Sequence, residues 1–287
     1  MAIGSASAIL GWDNRVDDAT ITVGSSPERA SALQDRSLGE AWESDGTDPA
    51  DTWIEFAFDK PTSARLLSLH GCNVTVQSQY QVRVWEDAGK TDQVYDSAVT
   101  DVCPPLIPMA ARDWSRPALW TGKPTSREWR RRPRQIIHPL PAVRRGRVWR
   151  IDVLDDLNPD ATIRVARPFL GDALQVANTI DLGSELSFRT FAQVQEGPSG
   201  QREGSESRPA RSTRFSLNWL NEAERGLVID LLTTMGETGE VVWIPHPDDG
   251  PKLQRESYLG YLRSRSVRRV RNATETSGLS AEIRELV

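Results

Sequence analysis

Three histidines, His70, His138 and His246, are the first residues to test for chemistry. They lie far apart, none stands in a His-x-x-His or His-Glu-x-x-His spacing, and two adjoin proline. That pattern points to structural or loop histidines rather than to metal ligands or a general base. No Gly-x-Ser-x-Gly elbow and no Gly-rich phosphate loop accompanies them. Carboxylates are paired at Asp17-Asp18, Asp155-Asp156 and Asp248-Asp249. Chain neighbours point apart on a strand and sit readily in turns, so turn formation is expected ahead of glycosidase acid-base work. Asp45, Asp48 and Asp51 are spaced to gather oxygens around a hard cation such as calcium, although the EF-hand pattern is absent. The expectation is a protein that is not an enzyme, with no catalytic residue, metal or cofactor.

The abundant reactive surfaces are tryptophan and arginine. Ten Trp against three Met and three His suggest β-sheet cores and contact surfaces made by large rigid rings. Between Cys103 and Val148 the chain is rich in Pro and Arg and carries Trp114, Trp120 and Trp129. The runs Arg130, Arg131, Arg132, Arg134 and Arg144, Arg145, Arg147 have the density that phosphate neutralisation requires. The whole chain nevertheless carries a net charge of −5, and no nucleic-acid-binding motif accompanies the run. Protein contact is therefore preferred, with the arginines meeting carboxylates bidentately and the three tryptophans as anchors. No nucleic-acid partner is expected. Charge is uneven: Asp13 to Asp59 is predominantly acidic and Arg112 to Arg150 predominantly basic. Both stretches read either as solvated loops or as complementary faces that steer assembly. Trp42 and Trp53 are expected in the core, with sugar stacking as the other reading, and Trp12 suits contact with an adjoining subunit.

The elements that must position these residues are mostly strands. Ile54, Phe56 and Phe58 share one face of Trp53–Phe58, which Asp59-Lys60-Pro61 is expected to end. Further strands are predicted over 65–69, 81–85, 149–153 and 162–165, the last two joined by the turn chemistry of Asp155-Asp156-Leu157-Asn158-Pro159-Asp160. Many short antiparallel strands imply a sandwich. The stretch 104–148 reads as a long Pro/Arg/Trp-rich insertion, and 195–205 as a flexible hairpin tip or loop. Strands follow over 213–217, 240–244, 258–262 and 279–283. One clear helix lies between the first two of these: Leu220, Ala223, Leu227, Val228, Leu231 and Met235 recur at helical spacing, Asn221 with Glu224 forms a capping box, and Gly236 stops it.

At 287 residues two domains are expected, about 1–185 and 186–287. A hydrophobic content of 38% is enough to offset chain entropy, which excludes disorder throughout. No stretch approaches the roughly 18 apolar residues that span a bilayer, so no membrane insertion is expected. The N-terminal residues lack secretory-signal features, so folding in cytoplasm is expected, with Cys72 and Cys103 as two buried free thiols.

Glu40-Ala41-Trp42-Glu43-Ser44 followed by Trp53–Phe58 resembles the discoidin-like, or galactose-binding-like, jelly roll, in which a Trp-x-Ser element precedes a strand opening with Trp. Leu66–Thr75 and Val82–Trp85 look like its next core strands, and Trp149–Val153 through Ile163–Gly171 like its closing strands in phage virion proteins. The C-terminal part resembles the last domain of phage minor tail proteins, on Phe215-Ser216-Leu217, the Glu-bearing helix, Trp243-Ile244-Pro245, Tyr258-Leu259-Gly260 and the Glu-Ile-Arg-Glu strand. The resemblance implies a mainly β protein: an N-terminal sandwich plus a smaller α+β domain with one main helix on a sheet. It also implies a structural component of a tailed-bacteriophage tail tip or baseplate, located in the virion, with other tail-tip proteins and copies of itself as partners. The alternative it implies is a carbohydrate-binding module presenting Asn73, Gln77 and Trp85 to a host-surface glycan.

Overall fold

The computed structural model describes residues 8–105, 121–130, 132–175, 184–190, 194–196, 202–204, 209–236, 238–269 and 277–286. The protein is mainly β, with a large antiparallel sheet. Its strands are β1 (Ile9–Trp12), β2 (Thr20–Val23), β3 (Trp42–Glu43), β4 (Trp53–His70), β5 (Gln79–Trp85), β6 (Gln93–Asp96), β7 (Thr100–Asp101), β8 (Gln135–Leu154), β9 (Arg164–Val165) and β10 (Arg167–Gln175). They continue with β11 (Glu185–Arg189), β12 (Val194–Glu196), β13 (Arg202–Gly204), β14 (Ala210–Leu220), β15 (Glu240–Ile244), β16 (Tyr258–Arg269) and β17 (Ser277–Glu285). Three α-helices are described: α1 (Ser126–Arg130), α2 (Glu222–Met235) and α3 (Gly250–Glu256).

Two long strands build the sandwich. The first part of β4 pairs with β2 and with 148–152 of β8, and that part of β8 pairs in turn with β5. The last part of β4 pairs with β10 and with 135–139 of β8. Ile54, Phe56, Val82, Val84, Trp149 and Ile151 from one layer share a buried cluster with Leu67, Leu69, Ile136 and Leu170 from the other. Both β4 and β8 therefore run from one layer into the other.

Two sequence expectations change here. Asp59-Lys60-Pro61 does not end β4; the ladder shifts register between Ala57 and Thr62 and the strand continues. The expected insertion is also shorter, because 135–148 is strand, with Pro139 opposite Leu66 just before a second register shift. A proline removes a ladder donor, and an irregularity is where a sheet tolerates that loss.

β1 lies between β10 and β15, pairing Leu10 with Leu174 on one side and with Trp243 on the other. The sheet thereby continues from the sandwich into β15–β16–β17–β14–β11. Along β10, Leu170 enters the sandwich core and Leu174, four residues on, enters a second core beneath α2. Phe169 faces the other way, into a third cluster with Ile9, Leu66, Ile137, Val242 and Ile244. Gly11 is required at this crossing, since a Cβ there would strike the Leu66 side chain and crowd Phe169 and Val242. The junction is also polar at one point: Arg167, fully buried, meets Glu240 at 2.7 Å and Asp17 at 2.7 Å. Asn14 joins it, donating to Glu240 Oε2 at 2.9 Å and to the Pro168 carbonyl at 3.1 Å.

The helix expected over Leu220–Met235 is α2, capped by Asn221 and Glu224 as a reciprocal box. Val228, Leu231 and Met235 are its buried stripe, against Phe215 and Trp243, whose rings stack at 4.4 Å. Leu227, expected on that stripe, is half exposed. In the region expected as a flexible hairpin tip or loop, Val194–Glu196 and Arg202–Gly204 pair antiparallel as β12 and β13, and 197–201 lie outside the described residues.

Candidate functional site

A well-framed depression lies at one end of the sandwich, between the loop 73–77, the turn 157–160, the segment 121–129 and Arg134. Its volume is about 590 Å³. The chain enters it through Gly71, which has φ +67° and packs where a Cβ would come within 2.7 Å of Ala166. That close approach delivers Asn73 to the loop's base, buried, with its amide fully engaged. Nδ2 donates to Thr162 O at 2.8 Å and Asp160 Oδ2 at 3.1 Å, and Oδ1 accepts from Arg164 N at 2.8 Å. Asp155 accepts from Thr75 N at 2.9 Å and from Thr75 Oγ1 at 2.6 Å, while Asn158 donates to both Asp155 and the Asn73 carbonyl. Asn73, Thr75, Asp155 and Asn158 are thus the frame of the cleft. Their hydrogen bonding is spent on holding the loops together.

The lips are different residues. Gln77, Ser126, Pro159 and Asp160 are exposed, Lys123 and Arg134 half buried, and Leu157 stands 72% exposed at the rim. Arg134 Nη1 donates to the Asn73 carbonyl at 3.1 Å, and among the described residues no carboxylate pairs with it. Lys123 meets Asp101 at 2.9 Å. Burial pushes the Asp101 carboxyl up, but the Gln79 amide and Lys123 outweigh it and hold the group below its usual range. The floor is Trp129 on α1, 4% exposed, whose indole donates to the Val74 carbonyl at 2.8 Å. Thr125 and Glu128 cap that helix reciprocally, so the short segment has a fixed start.

Of the proposed glycan residues, the structure brings Asn73 and Gln77 to this cleft and leaves Trp85 out. β5 runs between Gln79 and Trp85, a span of about 20 Å at the rise of a strand. Trp85 is buried at the opposite end beside Val148, with the Arg83 guanidinium 5.8 Å from its ring. The proposed interface residues are likewise divided. Arg134 lies in the cleft, and Arg132 adjoins Trp129, Cys103 and Pro104. Arg144, Arg145 and Arg147 sit midway along β8, Arg144 over the Tyr95 ring at 5.4 Å and Arg147 donating to the Phe58 carbonyl at 3.4 Å. Among the described residues, Arg132 and Arg134 are separated from Arg144, Arg145 and Arg147 by the first half of β8. Trp129 is a core residue rather than an interface anchor. Trp114, Trp120 and Arg131, with the Arg130 side chain, lie outside the described residues.

Trp42 is fully buried, its indole bonded to the Ser25 carbonyl at 2.9 Å, as expected of a core residue. Trp53 departs from that expectation: it occupies the outer face, opposite to Ile54 and Phe56, with Arg150 stacked 4.2 Å from its ring. Trp12 is half buried against the core beneath α2. Asp45 accepts from Ser26 and Asp48 from Ala50 N, so these acids serve the turns around them. Among the described residues no three potential ligands gather as a metal site. Cys72 and Cys103 are buried free thiols, and burial pushes Cys72 up to about 12.

Two histidines are internal. His70 Nε2 lies 2.9 Å from Ser68 Oγ and its Nδ1 3.2 Å from Gln135 Oε1; burial pushes it down to about 3. A hydroxyl beside an imidazole is a nucleophile's geometry, but both side chains are sealed from solvent. His138 lies between the phenols of Tyr80, at 3.1 Å, and Tyr95, at 2.9 Å, and burial pushes it down to about 4. His246 meets Glu256 at 3.3 Å near the surface.

Sequence reasoning missed Lys123, Ser126, Leu157, Pro159 and Asp160. One signal was available: Leu157 is an isolated apolar residue inside an Asx-rich turn, where no core can receive it.

No family model matches the chain, and no curated protein matches it. Among solved structures, a Clostridium perfringens protein described as CpGH89CBM32-6 is 12% identical, covering 55% of this chain and 98% of its own, at a TM-score of 0.34. The chitosan-binding module 1 of a chitosanase/glucanase from Paenibacillus sp. IK-5 is 15% identical over 55% of this chain and 98% of its own, at a TM-score of 0.35.

Proposed function

We propose that the chain binds a saccharide in the cleft framed by Asn73, Thr75, Asp155 and Asn158. The observation that carries this reading is the composition of the lips. An exposed apolar wall, Leu157 and Pro159, faces side-chain donors and acceptors from Gln77, Ser126, Arg134 and Asp160 around one depression of about 590 Å³. A sugar ring presents a C–H face and a rim of hydroxyls, and it needs both kinds of surface at once. The frame's hydrogen bonds set the loops before ligand arrives, which lowers the ordering cost of binding. A glycan array probed with the whole chain tests the proposal, followed by calorimetry on any hit. Arg134→Gln and Leu157→Asp are each expected to weaken binding by roughly tenfold or more, the loss of one charge-assisted bond or of an apolar platform. Silence across the array, or affinity unchanged in both variants, rejects the cleft as the site.

A second reading is a structural subunit of a bacteriophage tail tip or baseplate, acting through protein assembly. The observation favouring it is the outer strand β11, all of whose residues are exposed. Exposed Leu186 and Phe188, which share one face of that strand, are a natural place for another chain to pack. Immunogold labelling of intact particles made in cells expressing the gene tests it, with labelling at the tail end expected and unlabelled particles rejecting it.

A further inference from the structure

The middles of β4 and β8 form the end of the sandwich opposite to the cleft. Both strands start and finish near the cleft, since Trp53 pairs with Asp152 and His70 with Gln135. Between those points Thr62 pairs with Gly146, Ser63 with Arg145 and Ala64 with Arg144. Arg147 is thus roughly 23 Å of strand away from Leu154, after which the cleft's turn begins. This far end is basic. Across 58–65 and 139–147 the sequence holds five cations, Lys60, Arg65, Arg144, Arg145 and Arg147, against the single acid Asp59. Lys60 and Arg145 are exposed, and among the described residues neither meets a carboxylate. Arg144 on the Tyr95 ring and Arg147 on the Phe58 carbonyl also keep their full charge. Val143, 58% exposed, shares the face of Arg145 by strand alternation.

The cleft end carries the opposite sign. The chain between β2 and β4, residues 24–52, holds seven carboxylates against Arg29 and Arg36. Within it a depression of about 360 Å³ is lined by Glu28, Ala32, Glu40, Ala41 and Glu43, with Arg164 at one side. Arg164 fixes the place of this depression, because its backbone N donates to Asn73 Oδ1 at the base of the cleft. Glu43 is taken up by Arg29 at 3.1 Å and Arg164 at 4.0 Å. Glu28 and Glu40 stand exposed and, among the described residues, without an ion pair.

We propose that the basic end of one copy docks in the acidic depression of the next, head to tail, with Lys60 and Arg145 directed to Glu28 and Glu40 and Val143 to Ala32 and Ala41. Charge complementarity selects a second copy as the occupant. The chain carries −5 overall and its basic end +4, so the remainder carries −9, and each molecule offers the acids that its own basic end lacks. Because the two patches lie on different surfaces, the contact is heterologous: it extends a row of copies or closes a ring, and does not make a twofold dimer. None of Lys60, Arg145, Glu28 and Glu40 lines the cleft, so this proposal and the saccharide reading stand or fall separately.

The test is sedimentation velocity of the whole chain over a dilution series, in dilute buffer and at about 0.3 M salt, which screens exposed charge. Species larger than a dimer are expected in dilute buffer and their dispersal in salt. K60Q/R145Q removes the basic end and E28Q/E40Q the acidic one, and each is expected to raise the dissociation constant roughly tenfold or more. All four positions are exposed, so neither variant disturbs a core. Mixed in equal amounts, the two variants retain one intact end each and are expected to form a 1:1 complex and nothing larger. Loss of fold in either variant would not be rescued by mixing. A wild-type monomer at every concentration, an assembly indifferent to salt, undiminished association in either variant, or a mixture that forms no 1:1 complex or grows beyond it would each overturn the proposal.

Discussion

Arg167 is the residue on which most depends. It is wholly buried, and its charge is held by Glu240 and Asp17. Removing Glu240 leaves the buried guanidinium with Asp17 alone, a partly exposed carboxylate, so Glu240→Ala is expected to cost about 3 kcal/mol by urea unfolding. The paired replacement of Arg167 and Glu240 by Met and Leu is expected to cost far less, because it removes both fully buried charges and leaves Asp17, partly exposed, with Arg36 at 3.6 Å. His138 gives a pH prediction at the same scale. Its folded form is held near 4 while an exposed imidazole titrates near 6.5. Protons therefore prefer the unfolded chain: stability is full above about 6.5 and is lost as pH falls toward 4. The slope in that window is expected to reach at most about 1.4 kcal/mol per pH unit from this residue, and His138→Gln should flatten it in urea titrations. Sequence read the histidines as structural or loop residues, and His70 and His138 lie in the interior; Asn73 and Gln77, named as glycan-loop candidates, both line the cleft. It could not place Trp85, because a strand separates residues by length in a way that chain proximity conceals. The lips of the cleft stayed hidden because hydroxyls, amides and turn prolines look alike wherever they occur.

At the scale of elements, alternation was the reliable signal. Ile54, Phe56 and Phe58 on β4, and Val82 and Val84 on β5, face the core as their period of two requires. The capping box of α2 was equally plain, since it is wholly local. What alternation missed were strand continuations through Pro61 and Pro139, where the ladder slips register instead of stopping. Long-range pairing decides such cases, and local sequence does not carry it. Glycines supply the element-scale prediction. Gly260 in β16 lies where an added Cβ would collide with the Arg284 backbone carbonyl of the adjoining strand. Backbone cannot swing aside as a side chain does, so Gly260→Ala is expected to destabilise by about 1–3 kcal/mol, the cost typical of overpacking. By contrast Gly226 in α2 meets nothing within 4 Å, and Gly226→Ala is expected to stabilise by up to about 1 kcal/mol. Thermal melts of the two variants should shift in opposite directions.

For the whole molecule, the shared sheet matters more than the count of units. Arg167 with Glu240, Gln135 with the Gln254 and Ser257 carbonyls, and the cluster around Ile9 and Val242 all join the sandwich to the α2-bearing part. Calorimetry is expected to show one unfolding transition, and Gly11→Val, which crowds that junction, to lower it throughout rather than split it. Two well-separated transitions in the unaltered chain would argue against this coupling. The position of β1 between β10 and β15 also sets a timetable. Ile9–Trp12 emerges from the ribosome about 230 residues ahead of its partner Glu240–Ile244, a delay on the order of ten to fifty seconds at ordinary elongation rates. Once Arg167–Gln175 has joined β1, the nascent protein holds one flank of that ribbon vacant for a mate not yet translated, and chaperone capture of stalled chains should concentrate there.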